Sequence, residues 1–259
     1  MNIILNGICG KMGMAVRELC EKGYRGVGIS AGVDPNSLGG DCLSYRALCD
    51  IEDGIDAECI VDFSHHTCIY GVLEYAKANR IAAVIATTGH TEGELDAIYE
   101  AAKVIPIFHS ANMSLGVALL VELAKTAALA LPEAEIEIVE KHHNRKVDAP
   151  SGTALMLANA ICDVRPGAYT NIGRSGQGKR THDEIGIHAI RMGNIVGEHE
   201  VIIGTDNQTI TLKHEAHSRA LFAEGAIAAA CFVVKKAAGL YDMNSLIGET
   251  KRDAALSAN

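Results

Sequence analysis

The hydrophobic pattern of this chain changes period once along its length, and that change limits the folds open to it. In "NIILNG", "AECIVDFS", "IAAVIATTGH" and "VIPIFHSANMS" the apolar residues run together, and helix-length segments such as "TCIYGVLEYAKAN" and residues 92–103 lie between them. Unbroken apolar runs suit strands buried on both faces, and their alternation with helices predicts a parallel sheet. After "LGVALLVELAKTAALAL" the period becomes two, in "EAEIEIVEKH", "EIGIHAIRMG" and the pair "EHEVIIG" and "QTITLKHEA" joined through Asp206 and Asn207. Those segments predict a mixed or antiparallel sheet with one covered face.

The expected class is therefore α/β: an N-terminal doubly wound parallel sheet, then a second α+β domain with a mixed open sheet. The first helix is expected to bury Met14, Val16 and Leu19 and to stop near Gly23. Near the end, "FAEGAIAAACFVVKKAAGLYDM" predicts a small-residue helix stopped at Gly239, and "ETKRDAALSAN" gives no strong signal. With 259 residues and 48% hydrophobic content, the chain can fill a sizeable core.

A formal charge of −9 argues against a general nucleic-acid or anionic-membrane surface, so an anionic ligand has to be caught by a local patch. The opening MNIILNG lacks a basic or cleavable apolar leader and later apolar stretches are interrupted by charge, which predicts a cytoplasmic protein. Eight cysteines (Cys9, Cys20, Cys42, Cys49, Cys59, Cys68, Cys162 and Cys231) have irregular spacing and no CxxC pair. That usage fits reduced thiols, not a disulfide or zinc framework.

"NGICGKMG" places Gly7, Gly10 and Gly13 between the first strand and the first helix. Glycines there let backbone N–H groups approach a pyrophosphate at the positive end of the helix, with Lys11 beside it. Asp34 ends the second strand, where a carboxylate can accept the ribose hydroxyls of a dinucleotide, or else form an Asx turn ahead of Pro35. Its charge opposes a 2′-phosphate, which favours NADH over NADPH, although Lys11 leaves NADPH open.

The segment "EKHHNRKVDAPSGTA", residues 140–154, concentrates cationic groups in an acidic chain. His142 and His143 continue a period-two strand, so their rings should face opposite sides. Lys146 and the proline-started helix "APSGTALMLANAI", with the amides of Ser151, Gly152 and Thr153 at its start, make a cradle for a carboxylate. An imidazole nearby can supply a proton. A hydride donor and a proton donor together suggest reduction of a C=C or C=N bond.

In their order, "NGICGKMG", "VDFSHH", "ATTGH", "SANMSLGV", "EKHHNRKVDAPSGTA", "EIGIHAIRMGNIVGEHEV" and "GLYDM" resemble the 4-hydroxy-tetrahydrodipicolinate reductase (dihydrodipicolinate reductase) family across nearly the whole chain. The resemblance implies a Rossmann-type dinucleotide-binding domain (1–113), a substrate-binding and tetramerisation domain (114–221) and a C-terminal segment (222–259) that returns to the first. It implies NAD(P)H-dependent reduction of 4-hydroxy-tetrahydrodipicolinate, with loss of water, in lysine biosynthesis, by a homotetramer whose other partner is a small dicarboxylate.

Carried over by motif, Gly7, Ile8, Cys9, Gly10, Lys11 and Met12 would hold the pyrophosphate and Asp34 the ribose. Ala86, Thr87, Thr88, Ser110, Ala111, Asn112 and Met113 would face the nicotinamide half. His142 and Lys146 would be catalytic, and His143, Ser151, Gly152 and Thr153 would bind substrate. Ala86 departs from the family's usual glycine, and Asp34-Pro35 from an acid-plus-arginine pair found in some members.

Three other readings compete. His142, His143, His188 and His199 with Asp148 and Glu198 could form a hydrolytic metal site, but adjacent histidines lack the spacing that aligns two ligands on a helix. A nucleotide-binding redox sensor needs no proton-transfer groups, and another two-domain amino- or imino-acid dehydrogenase has no reason to carry "KVDAPSGTA". His188, Arg191, Glu198 and His199 are expected to shape the second sheet or its subunit contacts, with contact to substrate left open for each.

Overall fold

The first apolar run becomes β1 (Asn2–Asn6), whose Ile3, Ile4 and Leu5 are buried, and α1 (Lys11–Glu21) follows after the glycine turn. The structure is a computed structural model and describes residues 1–36, 44–51 and 54–257, so Cys42 lies outside the described residues. Two compact units are present, one of Met1–Leu115 with Arg219–Asn259 and one of Gly116–Ser218.

In the first unit the chain continues through β2 (Gly28–Val33), β3 (Ser44–Tyr45), β4 (Cys59–Asp62), α2 (Ile69–Asn79), β5 (Ala82–Ile85), α3 (Glu92–Ala102) and β6 (Pro106–His109). The strands pair in parallel in the order β6-β5-β4-β1-β2-β3, which reverses direction between β1 and β4. Such a reversal leaves a crevice outside the carboxyl ends of the two central strands, the usual ligand position in doubly wound sheets. On one face Ile4, Ile60 and Ile85 pack with Val72, Leu73 and Ile98 from α2 and α3.

The first helix buries Gly13 and Val16 and leaves Met14 exposed, against the expected Met14–Val16–Leu19 stripe. The glycine turn sets this rotation. A Cβ on residue 13 would stand 2.1 Å from the Gly7 carbonyl oxygen, so this bare position is the one that faces the turn. The helix ends as expected, with Gly23 left-handed at φ +72°.

The second unit contains α4 (Leu115–Ala130, one residue of which belongs to the first unit), β7 (Glu135–His142), α5 (Gly152–Val164), β8 (Tyr169–Ile172), β9 (Glu184–Arg191), β10 (Gly197–Thr205) and β11 (Gln208–Ala216). Its sheet runs β11-β10-β7-β9-β8, antiparallel on the β10 side and parallel on the β9 side, hence mixed. Period-two burial places Ile136 and Ile138 of β7 under α4 and α5, with Leu120, Leu157 and Ile161. The opposite face carries a charge ladder in which Lys141 pairs with Glu198 and Glu200, and Lys213 with Glu198 and Glu215.

The chain then returns to the first unit through α6 (Ala220–Val233), β12 (Gly239–Tyr241) and α7 (Met243–Ser257). Gly239 does not stop a helix: α6 ends at Val233, and Gly239 opens a strand parallel to β6. An edge-on aromatic row fixes that strand, since Phe232 stands 6.0 Å from Phe108 and 5.7 Å from Tyr241, centroid to centroid. The weakly signalled tail forms most of α7, whose start is capped by Asp242 accepting the Ser245 N–H at 2.8 Å.

Candidate active site

At the carboxyl edge of the parallel sheet, Gly7 adopts φ +83°. A side chain there would be strained, and its Cβ would lie 2.6 Å from the Phe63 carbonyl oxygen. The first turn of α1 has no side-chain cap and no acidic residue, so no carboxylate of its own competes for its positive end. The bare turn and open helix end fit a dinucleotide's pyrophosphate.

Beneath the turn lies a polar network that the sequence reading did not single out. The fully buried Asp62 accepts from Asn6 Nδ2 at 2.8 Å, Ser64 Oγ at 2.6 Å and Thr87 Oγ1 at 2.7 Å. It joins the ends of β1, β4 and β5, and with the Asp62 carbonyl accepting the Ala86 N–H at 3.0 Å it holds Ala86 and Thr87 in place. The available signal was an acid closing an apolar strand in "CIVDFS".

Asp34 is buried, and its carboxylate accepts the Cys9 N–H at 3.1 Å and the Asn36 N–H at 2.9 Å. It therefore forms the Asx-type turn weighed above and also braces the glycine turn. After β6, Ser110 Oγ donates to the Asn112 carbonyl at 2.7 Å and Asn112 Oδ1 accepts the Ser114 N–H at 2.9 Å, which folds Ser110, Ala111, Asn112 and Met113 into a tight loop. Ile8, Gly10, Lys11, Met12, Ala86, Thr87 and Thr88 complete the expected nucleotide set, all in the first unit at or next to the ends of β1 and β5.

In the second unit, β7 stops at His142, so His143 lies just past the strand with its amide donating to the Ile195 carbonyl at 2.8 Å. His142 is buried on the face of Ile138 and Glu140. Its Nδ1 lies 2.6 Å from Glu140 Oε2, and Arg191 grips the same carboxylate through two nitrogens at 2.7 and 2.6 Å. Burial alone would raise the Glu140 carboxyl, but hydrogen bonds from Arg191, His142 and the Ser151 amide hold it below its ordinary range.

Ser151 is the N-cap of α5, its Oγ accepting the Ala154 N–H at 3.2 Å and lying 3.0 Å from His199 Nε2. Its amide is not open to a ligand as the sequence suggested, because it donates to Glu140 Oε1 at 2.9 Å. The next residue, Gly152, is exposed at the first turn. Lys146 Nζ rests 2.9 Å from Asp148 Oδ1 and holds that carboxyl low.

His199 is 4% exposed, stands 5.2 Å from His142 ring to ring, and is pushed down to about 4 by burial and then by the nearby His142. It is therefore neutral at ordinary pH. Arg191 and His199 belong to this cluster and not merely to the sheet, whereas His188 pairs with Glu137 and Glu198 with Lys141 and Lys213. Period two could have found Glu140, since it stands two residues before His142 on one strand. Among the described residues no group of three or more His, Cys, Asp or Glu is arranged to hold a metal ion.

Comparison with known proteins assigns both units. The family model for the dihydrodipicolinate reductase N-terminus matches residues 1–113, and that for its C-terminus matches residues 116–247. The chain belongs to the dihydrodipicolinate reductase family. The 4-hydroxy-tetrahydrodipicolinate reductase of Caldanaerobacter subterraneus subsp. tengcongensis is 45% identical over 95% of this chain and 98% of its own, and that of Clostridium novyi is 44% identical over 95% and 97%. Among solved structures, a dipicolinate-bound dihydrodipicolinate reductase from Paenisporosarcina sp. TG-14 shares the fold, with a TM-score of 0.80, 23% identity and coverage of 93% and 97%.

As a dihydrodipicolinate reductase the chain is an oxidoreductase that uses a pyridine nucleotide to reduce 4-hydroxy-tetrahydrodipicolinate on the diaminopimelate route to lysine. That membership sets aside the metal-hydrolase, sensor and amino-acid dehydrogenase readings. No helix among the described residues is long and apolar enough to cross a membrane.

Proposed function

We propose that the cluster at the end of β7 performs the proton and carboxylate chemistry of this reduction. Lys146 Nζ and the positive end of α5, at Gly152 and Thr153, hold one carboxylate of a small dicarboxylate substrate, with His143 beside them. For Lys146 this means leaving Asp148, an exchange of one carboxylate for another. Ser151 shapes the cradle by capping the helix. With water lost from the substrate's C–OH and the neighbouring C–H, a bound nicotinamide would supply the hydride to the resulting C=C–C=N system, and His142 or Lys146 would protonate the enamine that this leaves. The observation that carries this reading is the single short segment, residues 140–154, that joins a buried imidazole, a lysine and a helix start.

In the first unit, Gly7, Ile8, Cys9, Gly10, Lys11 and Met12 would hold the pyrophosphate through backbone N–H groups and the Lys11 charge. Asp34 would accept from the adenine ribose, and its fixed negative charge favours NADH over NADPH. Ala86, Thr87, Thr88 and the loop of Ser110, Ala111, Asn112 and Met113 would orient the nicotinamide. A cytoplasmic homotetramer built on the second unit's sheet completes the reading; light scattering on the purified chain tests the assembly.

The deciding assay mixes the purified chain with fresh condensation product of pyruvate and aspartate semialdehyde, with NADH and NADPH in parallel. Substrate-dependent loss of nicotinamide absorbance, faster with NADH, is expected. Equal or greater rates with NADPH would overturn the Asp34 argument, and no oxidation with either would overturn the assignment of the cluster.

A further inference from the structure

Glu140 has no exposed surface, yet four donors surround its two oxygens. Oε2 meets His142 Nδ1 and one Arg191 nitrogen, and Oε1 meets the other Arg191 nitrogen and the Ser151 amide. Arg191 and the amide can only donate, so the carboxylate has to be the acceptor and is kept ionised. Two acceptors do not sit 2.6 Å apart, so His142 Nδ1 carries a proton. The atom left for exchange is Nε2.

The neighbouring strand keeps that atom clear. A Cβ on residue 197 would come 3.0 Å from His142 Nε2 and 3.4 Å from Cδ2, and Gly197 has none. The strand pairing places Arg191 opposite His142 on β9 and His199 opposite Glu140 on β10, so both flanking strands serve the same two residues of β7.

We propose that Glu140, braced by Arg191, is a positioning residue for the reduction: it fixes His142 as the Nδ1–H form with Nε2 as the proton-transferring atom, and through the Ser151 amide ties that ring to the start of α5. The inference rests on the reading of His142 as a proton donor. When an imidazolium gives its Nε2 proton to the substrate, the N–H electron pair stays on the ring. What remains is the neutral Nδ1–H tautomer already bonded to Glu140, so no second proton moves. Glu140 is the acceptor that fixes this tautomer, and this is the lever the test uses.

The test compares Glu140→Gln, Glu140→Asp and His142→Gln in the full chain, with kcat and KM measured across pH using the condensation product. For Glu140→Gln, kcat should fall by about 10²–10⁴-fold, the scale seen when the group orienting a reacting imidazole or metal ligand is neutralised. KM should move less than about threefold, since ground-state binding is retained. Glu140→Asp, which keeps the carboxylate, should recover part of the lost kcat. A Glu140→Gln kcat near that of the parent would overturn the proposal.

His142→Gln separates the two failures. Retained turnover there would sink the reading of His142 itself, while loss there with an unaffected Glu140→Gln sinks only the role of Glu140. Should the Glu140 variants not fold, nitrogen-15 histidine spectra of the unsubstituted protein decide, with the His142→Gln spectrum assigning the signal. A neutral Nδ1–H tautomer is expected, and a neutral Nε2–H tautomer would overturn the proposal.

Discussion

The two candidate binding regions are built from opposite materials. At the carboxyl edge of the first unit the ligand surface is mostly backbone: bare glycines, an uncapped helix start and a loop stitched by its own hydrogen bonds. At the end of β7 the surface is made of charged side chains whose geometry depends on one another, with Glu140 at their centre. A backbone site tolerates changes of side chain but no added volume. A side-chain site tolerates neither the loss of a charge nor a change in its protonation.

The sharpest way to break this contrast is Lys146→Ala. The substitution adds no volume and leaves the helix start intact, yet kcat/KM should fall by about 10²–10⁴-fold through loss of carboxylate positioning and proton supply. Steady-state kinetics check this, and turnover close to that of the parent would end the argument for Lys146.

Acid should separate the regions next. His199 is held neutral in the folded chain, so between its ordinary value of 6.5 and about 4 the unfolded chain binds the extra proton. Stability is then present above pH 6.5 and lost as pH falls toward 4, by on the order of 3 kcal/mol from this group. Glu140, depressed below its unfolded value, acts in the same direction further down, its contribution vanishing as pH drops through the folded value. Thermal unfolding from pH 7 to 4.5 should show the loss, with a flatter curve for His199→Asn; parallel curves would refute it.

Gly13→Ala tests the volume side of the contrast. Its methyl would press on the Gly7 carbonyl and on the Ile8 backbone, with a cost of about 1–3 kcal/mol and weaker nucleotide binding. Calorimetric titration with NADH reads the second effect, and unchanged affinity would show that the turn adapts. The smallest effect is expected for Thr91→Ala, which removes the capping box of α3 and should cost about 1 kcal/mol while leaving kinetics alone. A change in kcat there would mean that the cap has a role beyond stability.

The parallel sheet was legible because β1, β4, β5 and β6 each announce themselves by an apolar run, and the second sheet because its strands alternate. Short elements were not: β3 has two residues and β12 has three, too few for any period to show. Met14 was misplaced because helical periodicity gives a stripe but not its rotation, which a glycine contact sets here. In the β7 cluster His142, Lys146 and the helix start were visible as a motif. Arg191 and His199, roughly 50 and 60 residues later in the chain, became neighbours only through strand pairing, and Glu140 was overlooked although the strand period had already put it beside His142.

The return of the chain to its first sheet has a consequence during synthesis. β6 leaves the ribosome with its outer edge unpaired, and the strand that covers it, β12, is completed about 130 residues later. At translation rates of ~5–20 residues per second, that edge stays open for roughly 7–25 s in every nascent chain. An uncovered strand edge is a template for pairing with another chain. Emerging copies on one messenger are therefore most exposed to mispairing while the whole second unit is being made, which is when a holding chaperone would do most good.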